Sequence, residues 1–565
     1  MFSDRKSDFL IPDYQRPYAW GDKECQTLWD DIFSFAFPDN DYTKFDSDND
    51  EYYLGPIVTF KNDAGKMEVI DGQQRLTTLM LLLRAFYEKF GKMQDENSIN
   101  TRDNLALCIW KTNEFRKPVM DKLKIDSEVA TDNDKDEFLA ILRTGQAPEN
   151  LKSGYAQNFR LFQEKINTFL NEYPSFFSYF PTRLLNNCII LPIEADNQNT
   201  ALRIFSTLND RGMPLSDADI FKAQFYKHYS QIGLKDDFIC RWKKLEEICE
   251  SMFHPISGTP MDELFTRYMY YLRAKQGNKS STTEALRKFY ERDKYAALNN
   301  DYALGELEVL ADFWKDVLSQ NTDRFSDRVL RRLFVLNYAP NGMWSYITSV
   351  YFMKNKGQDG LLEDNKFYVF LNKITAFIWA YAIDRPGVNA LRTPVYAEMV
   401  NIVEGRDITF SDYAFDHSVL RSKLDNYTFA NNRAITKSML TWWAFNNDSQ
   451  PCIDIEINYE IEHILSRKRQ DELQDKRNLE LLGNKSLLEK RINIRASDYR
   501  FSDKAKYYLG EVLDRKQNKK EGTKITELSE MAKYQKDFGE SDIVKRNDEI
   551  LEQFISFLES NNLIK

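Results

Sequence analysis

A carboxylate and a histidine stand side by side at Glu462 and His463, within YEIEHIL, and two asparagines follow at Asn484 and Asn493. Asn484 comes twenty-one residues after the histidine, and Asn493 nine residues later, about two and a half helical turns. A hairpin followed by a helix can bring these four together. Glu462 and Asn493 would then offer oxygen ligands to a hard divalent ion such as Mg2+ or Mn2+. His463 would deprotonate a water, with Asn484 orienting its ring. The same residues also read as a surface pair and two helix caps, and Asp416 beside His417 shows how cheap the pair alone is. Local charge favours the chemical reading. From Arg467 to Lys506 there are twelve Lys and Arg against seven Asp and Glu, net +5 inside a chain of net −10. That is the footprint expected of contact with a phosphate backbone, and a solvated helix face carries the same charge.

A second constellation lies near the N-terminus. KMEVI reads as a strand, Asp71 and Gly72 as a tight turn, and QQRLTTLMLLLRAFYEKF as a helix apolar on most of its circumference. The amides of Gln73, Gln74 and Arg75 open that helix, and a helix N-terminus beside an arginine is a natural phosphate site. A capped helix whose first turn simply faces water has the same sequence. Gln15, Arg16, Tyr18 and Trp20, in IPDYQRPYAW, line a ligand cleft on one reading and pin an edge strand on the other. Asn209, Asp210, Arg211 and Gly212 are good turn chemistry with or without a function. There is no GxxxxGK[ST], GxGxxG or HExxH, and only four histidines, so the common nucleotide folds and zinc proteases are excluded.

The elements that must position these groups follow from pattern. The two prolines of FLIPDYQRPYAW predict an extended edge segment. Cys25, Leu28, Trp29, Ile32, Phe33 and Phe35 repeat at helical spacing. Pro38–Glu51 has no apolar period and predicts a solvated loop. EYYLGPIVTF and KMEVI predict a hairpin across NDAG, and residues 95–181 predict helices with charged interruptions. NCIILPIEA predicts a central strand of the same sheet, and Ser216 with Asp219 a helix cap. Residues 235–440, rich in Phe, Tyr, Trp and Leu, predict an all-α region without a repeat. After Cys452 a strand and a charged, helix-rich tail follow. The boundaries expected are 1–234, 235–440 and 441–565.

Length and composition bound the class. A chain of 565 residues with 42% hydrophobic and 29% charged residues is globular and long enough for several cores. Six scattered cysteines, no apolar run of membrane length and no leader pattern predict a soluble, reduced, cytoplasmic protein that makes no membrane contact.

The blocks IPDYQRPYAW, YYLGPIV, VIDGQQRLTTL and IFSTLNDRGMPLSDADIFKAQ resemble the N-terminal domain of the GmrSD-type restriction endonucleases, whose core is ParB-like. IEHILS, LLGNKSLLEKRIN and FSDK resemble that family's C-terminal HNH-type nuclease domain. The resemblance implies a mainly α chain with a small α/β, ParB-like N-terminal domain, an all-α middle and a C-terminal ββα-metal motif set among helices. It implies an endonuclease dependent on a nucleoside triphosphate and on Mg2+ or Mn2+, cutting modified or phage DNA in prokaryotic defence, with a homo-oligomer open. It places Gln15, Arg16, Tyr18, Trp20, Asp71, Gly72, Gln73, Gln74 and Arg75 at the nucleotide, His463 and Asn484 at the chemistry, and Glu462 and Asn493 at the metal. Asn493 stands where many HNH enzymes have histidine, which leaves an all-oxygen metal site unsuited to zinc. The alternative is an NTP-switched protein that grips nucleic acid without cutting it.

Overall fold

A computed structural model describes residues 4, 7–62, 64–129, 132–150, 152–197, 200–201, 204, 216–282, 284–513 and 519–565. Asn209, Asp210, Arg211 and Gly212 lie outside the described residues. The chain is mainly helical, with a small mixed sheet near its N-terminus, and divides into two units, Met1–Lys244 and Leu245–Lys565. Among the described residues no helix is long and apolar enough to cross a membrane.

The first unit is built on a five-stranded sheet. Its strands are β1 (Phe9–Ile11), β2 (Tyr52–Lys61), β3 (Met67–Asp71), β6 (Ile125–Ser127) and β7 (Cys188–Ala195), ordered β6-β1-β3-β2-β7. β2 and β3 form the expected antiparallel hairpin, while β1 runs parallel to both its neighbours and β7 parallel to β2. Side chains alternate across the strands. Ile57 and Val69 face one side, where α1 (Asp22–Ala36) and α2 (Gln73–Phe90) join the larger core. Val58, Phe60 and Ile70 face the other, packed with Tyr14, Ala195 and Ala223. α2 is buried nearly all round, from Leu76, Leu79, Met80 and Leu83 to Phe86 and Phe90. Each such side chain contributes about 1.5–3 kcal/mol, so this helix anchors whatever its first turn carries. The Ser216 cap forms as expected, with Asp219 N–H donating to Ser216 Oγ at 3.1 Å.

Three expectations change. β1 is an interior strand, paired on both sides, because Pro12 and Pro17 fall after its three residues and leave its N–H groups free to pair. β7 is an edge strand, and Ile189 and Leu191 are exposed, so its continuous apolar run does not mark a central position. Residues 95–181 contain β4 (Trp110–Thr112), β5 (Pro118–Leu123) and β6 besides their helices. These strands are short, and β5 is half exposed with charged residues inside it, so no period of two shows in the sequence.

The second unit is helical from Pro260 to Phe445, with no strand element among its described residues there. Trp314, Trp379 and Trp442 are fully buried, and the Trp314 indole N–H donates to Ser349 Oγ at 2.9 Å. Beyond these helices come β8 (Tyr459–His463) and β9 (Lys485–Glu489), an antiparallel pair. α9 (Lys490–Ala496) and α10 (Phe501–Tyr508) follow, and α11 (Glu540–Ser560) lies near the C-terminus. The chain order is therefore strand, strand, helix.

Candidate functional sites

In the second unit, the register of β8 and β9 sets Glu462 opposite Ser486 and His463 opposite Lys485. Neighbours on one strand point to opposite faces, so the acid and the histidine do not share an environment. Glu462 is buried, and its Oε1 accepts from Lys504 Nζ and from the Tyr508 hydroxyl, each at 2.6 Å. Lys504 Nζ also donates to the His463 carbonyl at 2.6 Å. Burial raises the Glu462 pKa above the usual carboxylate range, outweighing Lys504 and Tyr508.

His463 is also buried, and its Nε2 has no hydrogen-bond partner among the described residues. The Glu480 carboxylate lies 3.6 Å from that nitrogen. Burial first, then the Lys485 ammonium, push the imidazole pKa down to about 4, against the pull of Glu480. The ring is therefore neutral at physiological pH and keeps a lone pair for a proton. Burial pulls the Glu480 pKa up, but the Lys485 hydrogen bond and charge win and leave it below the usual range.

Asn484 is fully buried and does not reach the ring. Its Oδ1 accepts from Leu465 N–H at 2.8 Å, and its Nδ2 donates to the carbonyls of Leu465 and Leu479 at 3.1 and 3.0 Å. Asn484 thus clamps the loop that leaves the histidine strand. Gly483 must stay small beside it, because a Cβ there would lie 1.9 Å from the Ile543 carbonyl oxygen of α11. From the same helix Arg546 donates to the carbonyls of Leu482, Gly483 and Lys485.

Asn493, on α9, donates from Nδ2 to Glu460 Oε2 at 3.0 Å, and no bond joins it to Glu462. Among the described residues, no three His, Cys, Asp or Glu side chains cluster closely enough to hold a metal. The remaining donors are nevertheless of the kind a hard divalent ion takes. No side chain bonds Glu462 Oε2, and Asn493 Oδ1 is free of hydrogen bonds among the described residues. Glu460 adds a half-exposed carboxylate, with Lys490 at 3.5 Å.

The basic segment is less open than its net charge implies. Lys485 and Lys504 are interior, and Lys468, Lys476, Arg477 and Lys506 each pair with a nearby aspartate. Arg491 is exposed and has no such partner among the described residues.

In the first unit the nine expected nucleotide residues separate into two kinds. Five of them, Gln15, Tyr18, Trp20, Gly72 and Gln74, hold the framework. Gln15 Nε2 donates to the carbonyls of Val69 and Ile70 on β3. Gln74 Oε1 accepts from the N–H groups of Ala19 and Trp20, and its Nε2 donates to the Pro17 carbonyl. The Tyr18 hydroxyl meets Thr78 Oγ1 at 2.7 Å and accepts from Asn158, which also donates to the Trp20 carbonyl. Gly72 shapes the turn: its φ is +88°, and a Cβ would meet Ile57 Cγ1 at 2.9 Å. Only glycine takes that conformation there without strain.

Arg16, Asp71, Gln73 and Arg75 keep functional groups to spare. Arg75 Nη1 donates to the Pro56 carbonyl at 2.8 Å, which fixes the guanidinium while leaving other N–H groups. Arg16 and Gln73 make no side-chain hydrogen bond among the described residues. Burial raises the Asp71 pKa, opposed by the Gly72 N–H and by Arg75 and Arg16, so both cations lie near it. Two guanidiniums, a free amide and the N-terminus of an eighteen-residue helix suit a polyanion.

The sequence reading missed Lys504, Tyr508 and Glu480. Lys504 and Tyr508 are four apart on α10, the spacing of one helical face, which was the available signal. Glu480 carries no signal of its own, since only the fold brings its turn under the histidine.

Two family models match the chain. One, described as the GmrSD restriction endonuclease N-terminal domain, matches residues 1–226, and so takes in the mixed sheet and α2. The other, described as the GmrSD restriction endonucleases C-terminal domain, matches residues 404–553 and takes in β8, β9 and α9 to the middle of α11. No curated protein matches.

Proposed function

The chain belongs to the GmrSD restriction endonuclease family, and on that premise we propose that it is an NTP-dependent DNA endonuclease of anti-phage defence. As a restriction endonuclease it is a nuclease with DNA as substrate; the finer reading assigns the cutting to the β8-β9-α9 element. One observation carries it. A neutral, buried histidine ends β8, and on the other face of that strand Asn493 of α9 bonds the Glu460 carboxylate, two residues along from Glu462. His463 takes the proton of the attacking water, and Asn484 holds the backbone that carries it. Glu462 and Asn493, with Glu460 beside them, would hold Mg2+ or Mn2+, which supplies charge stabilisation at the phosphate and activates water. Arg491 and its exposed neighbours would meet the DNA backbone. A nucleoside triphosphate would sit at the head of α2, with Arg16 and Arg75 on its phosphates and Asp71 toward its metal.

The second reading, an NTP switch that grips DNA without cutting, is favoured by one feature. Lys504 already neutralises Glu462, which lowers that carboxylate's pull on a divalent ion. The deciding experiment incubates the full chain with modified phage DNA, unmodified DNA and supercoiled plasmid. Mg2+ or Mn2+ is supplied, with and without triphosphates. Nicking that EDTA abolishes supports the endonuclease; DNA binding without nicking in every condition leaves the switch standing.

For the nucleotide site, Arg75→Ala is expected to weaken triphosphate binding about 10- to 100-fold, the size of a lost charge-assisted hydrogen bond. Stability should fall by only about 1 kcal/mol, for the lost bond to Pro56. Titration calorimetry beside a thermal melt checks both, and equal affinity in the two proteins would move the nucleotide elsewhere.

A further inference from the structure

We infer that Glu480 is the positioning residue for His463, fixing the ring so that Nε2 carries the proton and Nδ1 presents its lone pair to the water. This rests on the reading of His463 as general base. Buried ring nitrogens need partners, and Nε2 of His463 has none within hydrogen-bond distance. The Glu480 Oε1 atom lies 3.6 Å away, a gap that a shift of under about 1 Å closes to a normal hydrogen bond. Catalytic hydrogen bonds are often this loose before substrate arrives. Asn484 cannot serve instead, because its amide is committed to Leu465 and Leu479.

Glu480 is itself held firmly. Lys485 Nζ, wholly buried, donates to Glu480 Oε2 at 2.5 Å, to Asn431 Oδ1 at 2.9 Å and to the Phe429 carbonyl. The carboxylate therefore stays beneath the ring, with Oε1 free of hydrogen bonds among the described residues and the exposed Arg467 guanidinium 3.8 Å from it. A carboxylate facing Nε2 favours the tautomer with hydrogen on that nitrogen, since two lone pairs would repel. No hydrogen bond is made at Nδ1 among the described residues, so that atom is the one left for a proton. The bland alternative is that Glu480 serves only as counter-ion to Lys485.

Ring-15N-histidine labelling of the full chain separates the two, because the sequence has only four histidines. The His463 signals are assigned by their loss in His463→Ala. Wild type is expected to show the Nε2–H tautomer, and Glu480→Ala a mixture or the Nδ1–H form. Glu480→Gln, which keeps an oxygen for Lys485, is run beside it. In both variants the single-turnover nicking rate should fall about 10- to 100-fold with DNA affinity unchanged. A tautomer unmoved in both variants overturns the proposal whatever the rates, and so does a moved tautomer with wild-type rates. If His463→Ala itself cuts at the wild-type rate, the general-base reading fails instead, and the proposal with it.

Discussion

Replacing His463 with alanine is expected to slow DNA cleavage by about 10²- to 10⁴-fold, the usual contribution of a general base. The side chain is buried but its Nε2 makes no hydrogen bond, so little polar stabilisation is lost with it. A small cavity remains, and the cost in stability should stay near 1–2 kcal/mol. DNA affinity should not change, because the contacts proposed to the backbone are those of exposed arginines rather than of a neutral imidazole. Single-turnover nicking, a DNA-binding isotherm and a melt are the three measurements. A folded variant that binds and nicks like wild type would remove His463 from the chemistry.

The strand that ends in Glu462 and His463 was legible in the sequence, as was the helix that follows its partner strand. What each neighbour does was less legible. Asn484 was expected to orient the histidine ring, but its amide holds the backbone of Leu465 and Leu479 instead. Gln15, Tyr18, Trp20 and Gln74 were grouped with Arg16 and Arg75, and only hydrogen-bond geometry separates the framework residues from those with groups to spare. Pattern located α1 and α2 well, because α1 buries a stripe at helical spacing and α2 is apolar nearly all round. It failed for β5 and β6, where length and polarity hide the period, and for β7, whose apolar run sits at an edge. Lys504 shows a further limit. It is one of twelve basic residues in a segment read as surface, and only the fold reveals that it is interior.

Lys504 accordingly gives the largest expected stability effect. Its ammonium is 1% exposed and satisfies both the Glu462 carboxylate and the His463 carbonyl. Lys504→Met keeps the volume and removes the charge, leaving Glu462 buried with Tyr508 as its one remaining side-chain donor. Breaking a buried ion pair from one side typically costs about 3–5 kcal/mol, because the surviving charge stays desolvated. The loss should appear in the unfolding transition of the second unit, since every partner lies within it. Changing Glu462→Gln in the same protein removes the stranded charge, so the double variant should recover part of what the single one loses. Recovery would identify the buried charge, rather than lost packing against Lys504, as the source of the cost. Cleavage should fall in both variants, for different reasons. The single variant loosens the carbonyl that anchors the histidine strand, and the double one also loses the carboxylate expected at the metal. Denaturant unfolding of the three proteins decides the matter. A Lys504→Met chain within about 1 kcal/mol of wild type would mean that Glu462 finds another partner or a proton, and the ammonium would lose its structural role.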